Sequence, residues 1–73
     1  MATKGGGAVY RITEVIGTSS NSWEDAARNA VKTAASSLRD LRIAEIEKLD
    51  VKIENGKITQ FRARMKLSFK YEG

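Results

Sequence analysis

From Thr59 to Tyr71 the chain alternates between residues suited to a dry surface and residues suited to water. Thr59, Phe61, Ala63, Met65, Leu67, Phe69 and Tyr71 hold the odd positions, and Gln60, Arg62, Arg64, Lys66, Ser68 and Lys70 the even ones. Successive side chains on an extended strand point to opposite faces, so this period of two predicts a strand with one apolar and one basic face. Such a strand needs a cover for its dry face and neighbours for its backbone. Asn55-Gly56, just before it, tolerates positive φ and marks a hairpin to a preceding strand.

That preceding strand, from about Ile43 to Ile53, changes phase. Ala44 and Ile46 are apolar on even positions, then Leu49, Val51 and Ile53 on odd ones. A three-residue Asn55-Gly56-Lys57 loop with a glycine bulge sets Glu54 opposite Ile58, Val51 opposite Phe61 and Leu49 opposite Ala63. Keeping Ile46 against Met65 and Ala44 against Leu67 then requires one extra residue. A β-bulge is therefore predicted at Glu47 or Lys48, which places Glu45 opposite Lys66 as a favourable cross-strand charge pair.

Upstream, residues 8–19 are rich in Val, Ile, Tyr and Thr and predict a first strand that stops at Gly17. Ser22 suits a helix N-cap, with Glu24 and Asp25 in the first turn, where carboxylates favour the positive helix end. Trp23, Ala27, Ala30, Val31, Ala34 and Leu38 recur at steps of three and four and form one stripe of an amphipathic helix. The stripe is mostly alanine, so the helix can lie close to a sheet, with Trp23 as a packing anchor at its start. If the helix runs against the first strand, placing the last strand in the middle gives an all-antiparallel sheet. The expected fold is α+β: a βαββ unit whose three-stranded sheet, in the order 1-3-2, wraps on one helix and leaves its polar face open.

At 73 residues the chain is one domain. Residues 8–73 are taken as that domain, and residues 1–7, with Lys4 and three glycines, as a disordered leader. No stretch approaches the roughly 20 apolar residues that cross a bilayer, and a cytoplasmic location is the expectation. The chain has no Cys and no His. Disulfides and His/Cys metal staples are thus excluded, and association with other copies is the remaining support for so small a core. Catalysis lacks a base titrating near neutrality and a thiol nucleophile, so an enzyme is not expected.

Arg62, Arg64, Lys66 and Lys70 form a basic stripe, and the net charge is +4. Nucleic acid is disfavoured as a partner, because no aromatic residues interleave with the stripe to stack bases. Glu14, Glu45, Glu47 and Asp50 carry the oxygen chemistry that calcium or magnesium takes, yet without EF-hand spacing. Any such site must be built across subunits, and salt bridging to the stripe is the simpler use of these carboxylates.

The order and spacing of Val9-Tyr10-Arg11, Ile16-Gly17-Thr18-Ser19, Ser22-Trp23-Glu24, Leu38-Arg39-Asp40-Leu41 and Met65-Lys66-Leu67-Ser68-Phe69 resemble the dodecins, small βαββ proteins that form hollow dodecamers. The likeness runs from about Val9 to Tyr71. Flavin-binding dodecins carry a Trp just past the helix-to-strand junction that stacks on the isoalloxazine ring, and a Gln on the last strand that hydrogen-bonds it. Matched by these motifs, the two positions fall on Ile43 and Arg62. An aliphatic side chain offers no stacking face, and a guanidinium has donors only. The pattern is more similar to the branch called calcium dodecins, which also lacks the flavin Trp.

The resemblance therefore implies a non-enzymatic binding or storage protein, a homododecamer holding a small ligand or metal ion at subunit contacts. Ile43, Glu45 and Arg62 stand at the family's ligand position. Calcium is the ion implied, with no ligating residues assigned, and flavin (FMN or riboflavin) ranks below it. An atypical flavin binder is the alternative within the family, and a basic oligomeric module for nucleic acid or protein the alternative outside it.

Overall fold

A computed structural model describes residues 8–70. Four elements follow in order: β1 (Tyr10–Ser19), α1 (Trp23–Ala35), β2 (Leu41–Glu54) and β3 (Lys57–Lys70). The strands form one antiparallel sheet in the order β1-β3-β2. The fold is the expected βαββ unit. The leader proposed for residues 1–7, and Tyr71, lie outside the described residues.

Helix α1 starts where its cap allows. The Ser22 hydroxyl oxygen accepts the backbone N–H of Asp25 at 3.0 Å, and the Ser19 hydroxyl donates to the Asp25 carboxylate at 2.7 Å. Ala26, Ala30 and Ala34 form its buried line, with Ala27 and Val31 packed beside it. Ala26 thus belongs to the buried stripe, and Leu38 reaches the core from beyond the end of the helix. On the sheet side Ala63, Met65 and Leu67 of β3 are buried. The dry face predicted from alternation is the central floor of the core.

Gly17 corrects one expectation. It does not end β1, which continues to Ser19. Its role is tertiary, since a Cβ there would collide with the carbonyl oxygen of Ala26 and lie 2.8 Å from the Ala30 methyl. The glycine lets helix and strand approach closely.

The hairpin corrects another. Glu54 pairs with Lys57, so the loop is the two residues Asn55 and Gly56, with φ of 51° and 73°. Consecutive positive φ values fit a primed hairpin turn, whose twist matches the strands. The register then slips at Thr59, which has no partner and donates its hydroxyl to the Lys52 carbonyl at 3.4 Å. That slip restores Val51 opposite Phe61 and Leu49 opposite Ala63, the pairs expected from a longer loop. The predicted bulge falls on Glu47, which is skipped between the Ile46–Met65 and Lys48–Arg64 pairs. A further irregularity leaves Arg42 unpaired between Leu41 and Ile43.

One consequence concerns the whole protomer. No residue of β2 is buried, and among the described residues ten large apolar side chains are exposed, Ile46 and Leu49 on the helix side of β2 among them. The radius of gyration is 15.4 Å, against about 11 Å for a compact chain of this length. Small domains seldom stand on so little core, so these surfaces call for a cover.

The open face of the sheet and its ion pairs

Strand pairing sorts the face opposite α1 into rows, because residues directly across from each other share a face. One row reads Thr18, Arg62, Asp50, and the next Ile16, Arg64, Lys48. Then come Glu14, Lys66, Glu45, followed by Ile12, Ser68, Ile43. Tyr10 and Lys70 close the series. The face carries an apolar band between charged rows.

Arg62 does not reach freely into solvent. Its Nε donates to one Asp50 carboxylate oxygen at 2.7 Å and Nη2 to the other at 3.3 Å. This two-point pair holds Asp50 below its ordinary value of 3.8 and raises Arg62. The Asp50 carbonyl meanwhile accepts the indole N–H of Trp23 at 3.0 Å. Trp23 also meets Phe61 edge-on, with ring centroids 5.2 Å apart. Trp23 thus anchors the start of α1 to both β2 and β3, as its position heading the helix stripe suggested.

Lys66 is the hub of the acidic row. It faces Glu45 in register, as expected, but its ammonium lies 3.0 Å from the Glu47 carboxylate. The hydrogen bond from Lys66 chiefly lowers Glu47 below its ordinary 4.5, with a contribution from Glu14, and Glu47 in turn raises Lys66. The bulge accounts for the exchange of partner, because it brings an extra carboxylate onto the open face. Among the described residues, no group of three acidic side chains converges as a metal site would.

Ile43 is 65% exposed in the apolar band, where its carbonyl accepts the Ser68 hydroxyl at 3.4 Å. Glu45 lies two residues along the same strand. Arg62 does not join them: it lies six residues from Ser68 on β3, roughly 20 Å at strand rise. A single protomer brings Ile43 and Glu45 together and leaves Arg62 apart. Sequence reasoning placed Asp50 among the carboxylates that salt-bridge the basic stripe but did not pair it with Arg62; its negative charge five residues before Asn55, opposite Arg62 in the register, was the available signal.

A sheet on one helix with an open face of ion pairs and exposed aliphatics defines a small βαββ protein. The family model for the dodecins matches residues 9–72, and the chain belongs to the dodecin family. It is 42% identical over 64 residues to the calcium dodecin of Mycobacterium tuberculosis, covering 86% of this chain and 89% of the relative. A dodecin structure from Streptomyces coelicolor superposes with a TM-score of 0.86 at 38% identity, covering 90% of this chain and 94% of that one. The crystal structure of the M. tuberculosis calcium dodecin, a calcium-chelating antigen with a novel calcium-binding site, gives a TM-score of 0.79 at 39% identity, covering 89% and 93%. No helix among the described residues is long and apolar enough to cross a membrane.

Proposed function

We propose that this chain is a binding or storage protein that assembles into a hollow homododecamer and holds a small ligand or metal ion at subunit contacts, calcium foremost. The observation that carries the reading is the separation of Ile43 and Glu45 from Arg62 along one sheet. A site using all three draws them from different copies. The uncovered apolar side chains of β2 support assembly on separate grounds. In this reading Ile43, Glu45 and Arg62 border the ligand, and the protein is a cytoplasmic carrier without catalytic activity.

Calcium fits the chemistry of the acidic row. Glu14, Glu45 and Glu47 are hard oxygen donors placed around Lys66, and calcium takes six to eight oxygens. One protomer supplies too few, so a neighbouring copy completes the sphere, and Lys66 must release Glu47 when the ion enters. Flavin stacking is lost, because Ile43 offers no aromatic face and Arg62 is held by Asp50.

Calcium is expected to raise the thermal midpoint of the assembled protein, a chelator to reverse the shift, and Glu45→Gln with Glu47→Gln to abolish it. The native chain is expected to leave flavin fluorescence unquenched. A midpoint indifferent to calcium removes the ion from this reading. Micromolar quenching of FMN or riboflavin replaces it with an atypical flavin binder, and salt-sensitive retention of single-stranded oligonucleotides with a basic binding module.

A further inference from the structure

One juxtaposition on the open face is left unbalanced by its ion pairs. Arg64 stands directly opposite Lys48 across β3 and β2, and like charges facing each other in a cross-strand pair are destabilising. The bulge creates this arrangement. Carrying the Ile46–Met65 register one step on would set Glu47 opposite Arg64, an attractive pair; skipping Glu47 substitutes Lys48. The nearby carboxylates are engaged elsewhere, Asp50 with Arg62 at 2.7 Å and Glu47 with Lys66 at 3.0 Å. Arg64 acts on both only through longer-range charge. Among the described residues, neither Lys48 nor Arg64 has an ion pair of its own.

We propose that Lys48 and Arg64 form a binding site for a phosphate-type oxyanion. A guanidinium presents a planar fork that matches two phosphate oxygens, and an ammonium adds a compact charge beside it. An anion between them turns the repulsion into two attractions. Ile16, paired with Arg64 on the β1 side, is 48% exposed and lines a shallow hollow of about 360 Å³ with Glu14, Val15 and Arg64. The Glu14 carboxylate lines the same hollow and repels anions on that side, so the approach is over Lys48. Free phosphate and the phosphoryl group of an organic monoester share the required chemistry; the monoester also covers Ile16. The site is separate from the calcium reading, since neither cationic side chain ligates a metal ion.

Calorimetric titration of the assembled protein with inorganic phosphate and with phenyl phosphate, at fixed ionic strength, tests the assignment. Saturable binding is expected, weakened about tenfold or more by Lys48→Gln and by Arg64→Gln. Lys52→Gln, whose ammonium sits 3.7 Å from Glu54, is expected to bind like the native chain. Tighter binding of phenyl phosphate assigns an organic phosphate, and equal binding assigns the free ion. In phosphate-free chloride buffer, Lys48→Gln is expected to raise the thermal midpoint by removing the repulsion. Absence of saturable binding, or binding by both variants as tight as by the native chain, overturns the proposal. A lowered midpoint for Lys48→Gln in chloride also overturns it, by placing a carboxylate of a second copy between the two cations.

Discussion

Gly17 has no room for a side chain beneath α1, and its substitution is the simplest residue-scale test of how helix and sheet meet. Gly17→Ala adds a methyl group against the Ala26 carbonyl and the Ala30 methyl, neither of which is a flexible chain end. The variant is expected to lose about 1–3 kcal/mol, the usual cost of overpacking, read as a lower thermal midpoint. An unchanged midpoint would mean that α1 can lift from β1 freely. Glycine's local preference suggested a turn at this point, whereas the helix crossing over it is a contact that no local pattern displays. The ion pairs make a second test. Glu47 and Asp50 titrate below their ordinary values, so their contribution to stability is full above those values and is lost as pH falls through the lowered ones. Lys66 and Arg62 are raised, so theirs is full below their ordinary values and is lost only as pH rises through the raised ones. The midpoint is expected to fall as pH drops below the ordinary carboxylate values of 4.5 and 3.8, less steeply in Glu47→Gln and at about 1 M salt. A limb unaffected by that variant would show that the Lys66–Glu47 pair contributes nothing.

At the scale of elements, Trp23 joins α1 to the β2–β3 hairpin through one hydrogen bond and one edge-on ring contact. Trp23→Phe keeps an aromatic ring and removes the indole N–H, at an expected cost of about 1 kcal/mol. Trp23→Ala removes the contact with Phe61 as well and is expected to cost more, about 2 kcal/mol. Thermal or denaturant unfolding should rank the native chain above Trp23→Phe and that variant above Trp23→Ala; equal values would make the tie incidental. The strands and their order were legible because β3 has chemically opposite faces, and the phase change in β2 located the bulge at Glu47. The loop length was not legible. A three-residue loop, and a two-residue loop followed by an unpaired Thr59, give the same Val51–Phe61 pair. The candidate site was legible to the same degree: the proposed ligand positions lie on the open face, but the partners of Arg62 and Lys66 depend on register at one residue's resolution.

For the whole molecule, the balance of surfaces decides. Among the described residues the buried apolar core comprises Ala26, Ala30, Ala34, Ala63, Met65 and Leu67, four of them alanines, while ten large apolar side chains are exposed. With this inventory, the exposed apolar side chains of β1 and β2 call for other copies of the chain as their cover. The proposed ligand binding depends on the same assembly, because one protomer leaves Arg62 apart from Ile43 and Glu45. The most direct measurement is the mass of the native particle by size-exclusion chromatography with light scattering. Twelve copies of an 8.1 kDa chain give about 97 kDa, the value expected here. A particle of one or two chains would contradict the account, since it could not bring the two halves of the proposed ligand site together.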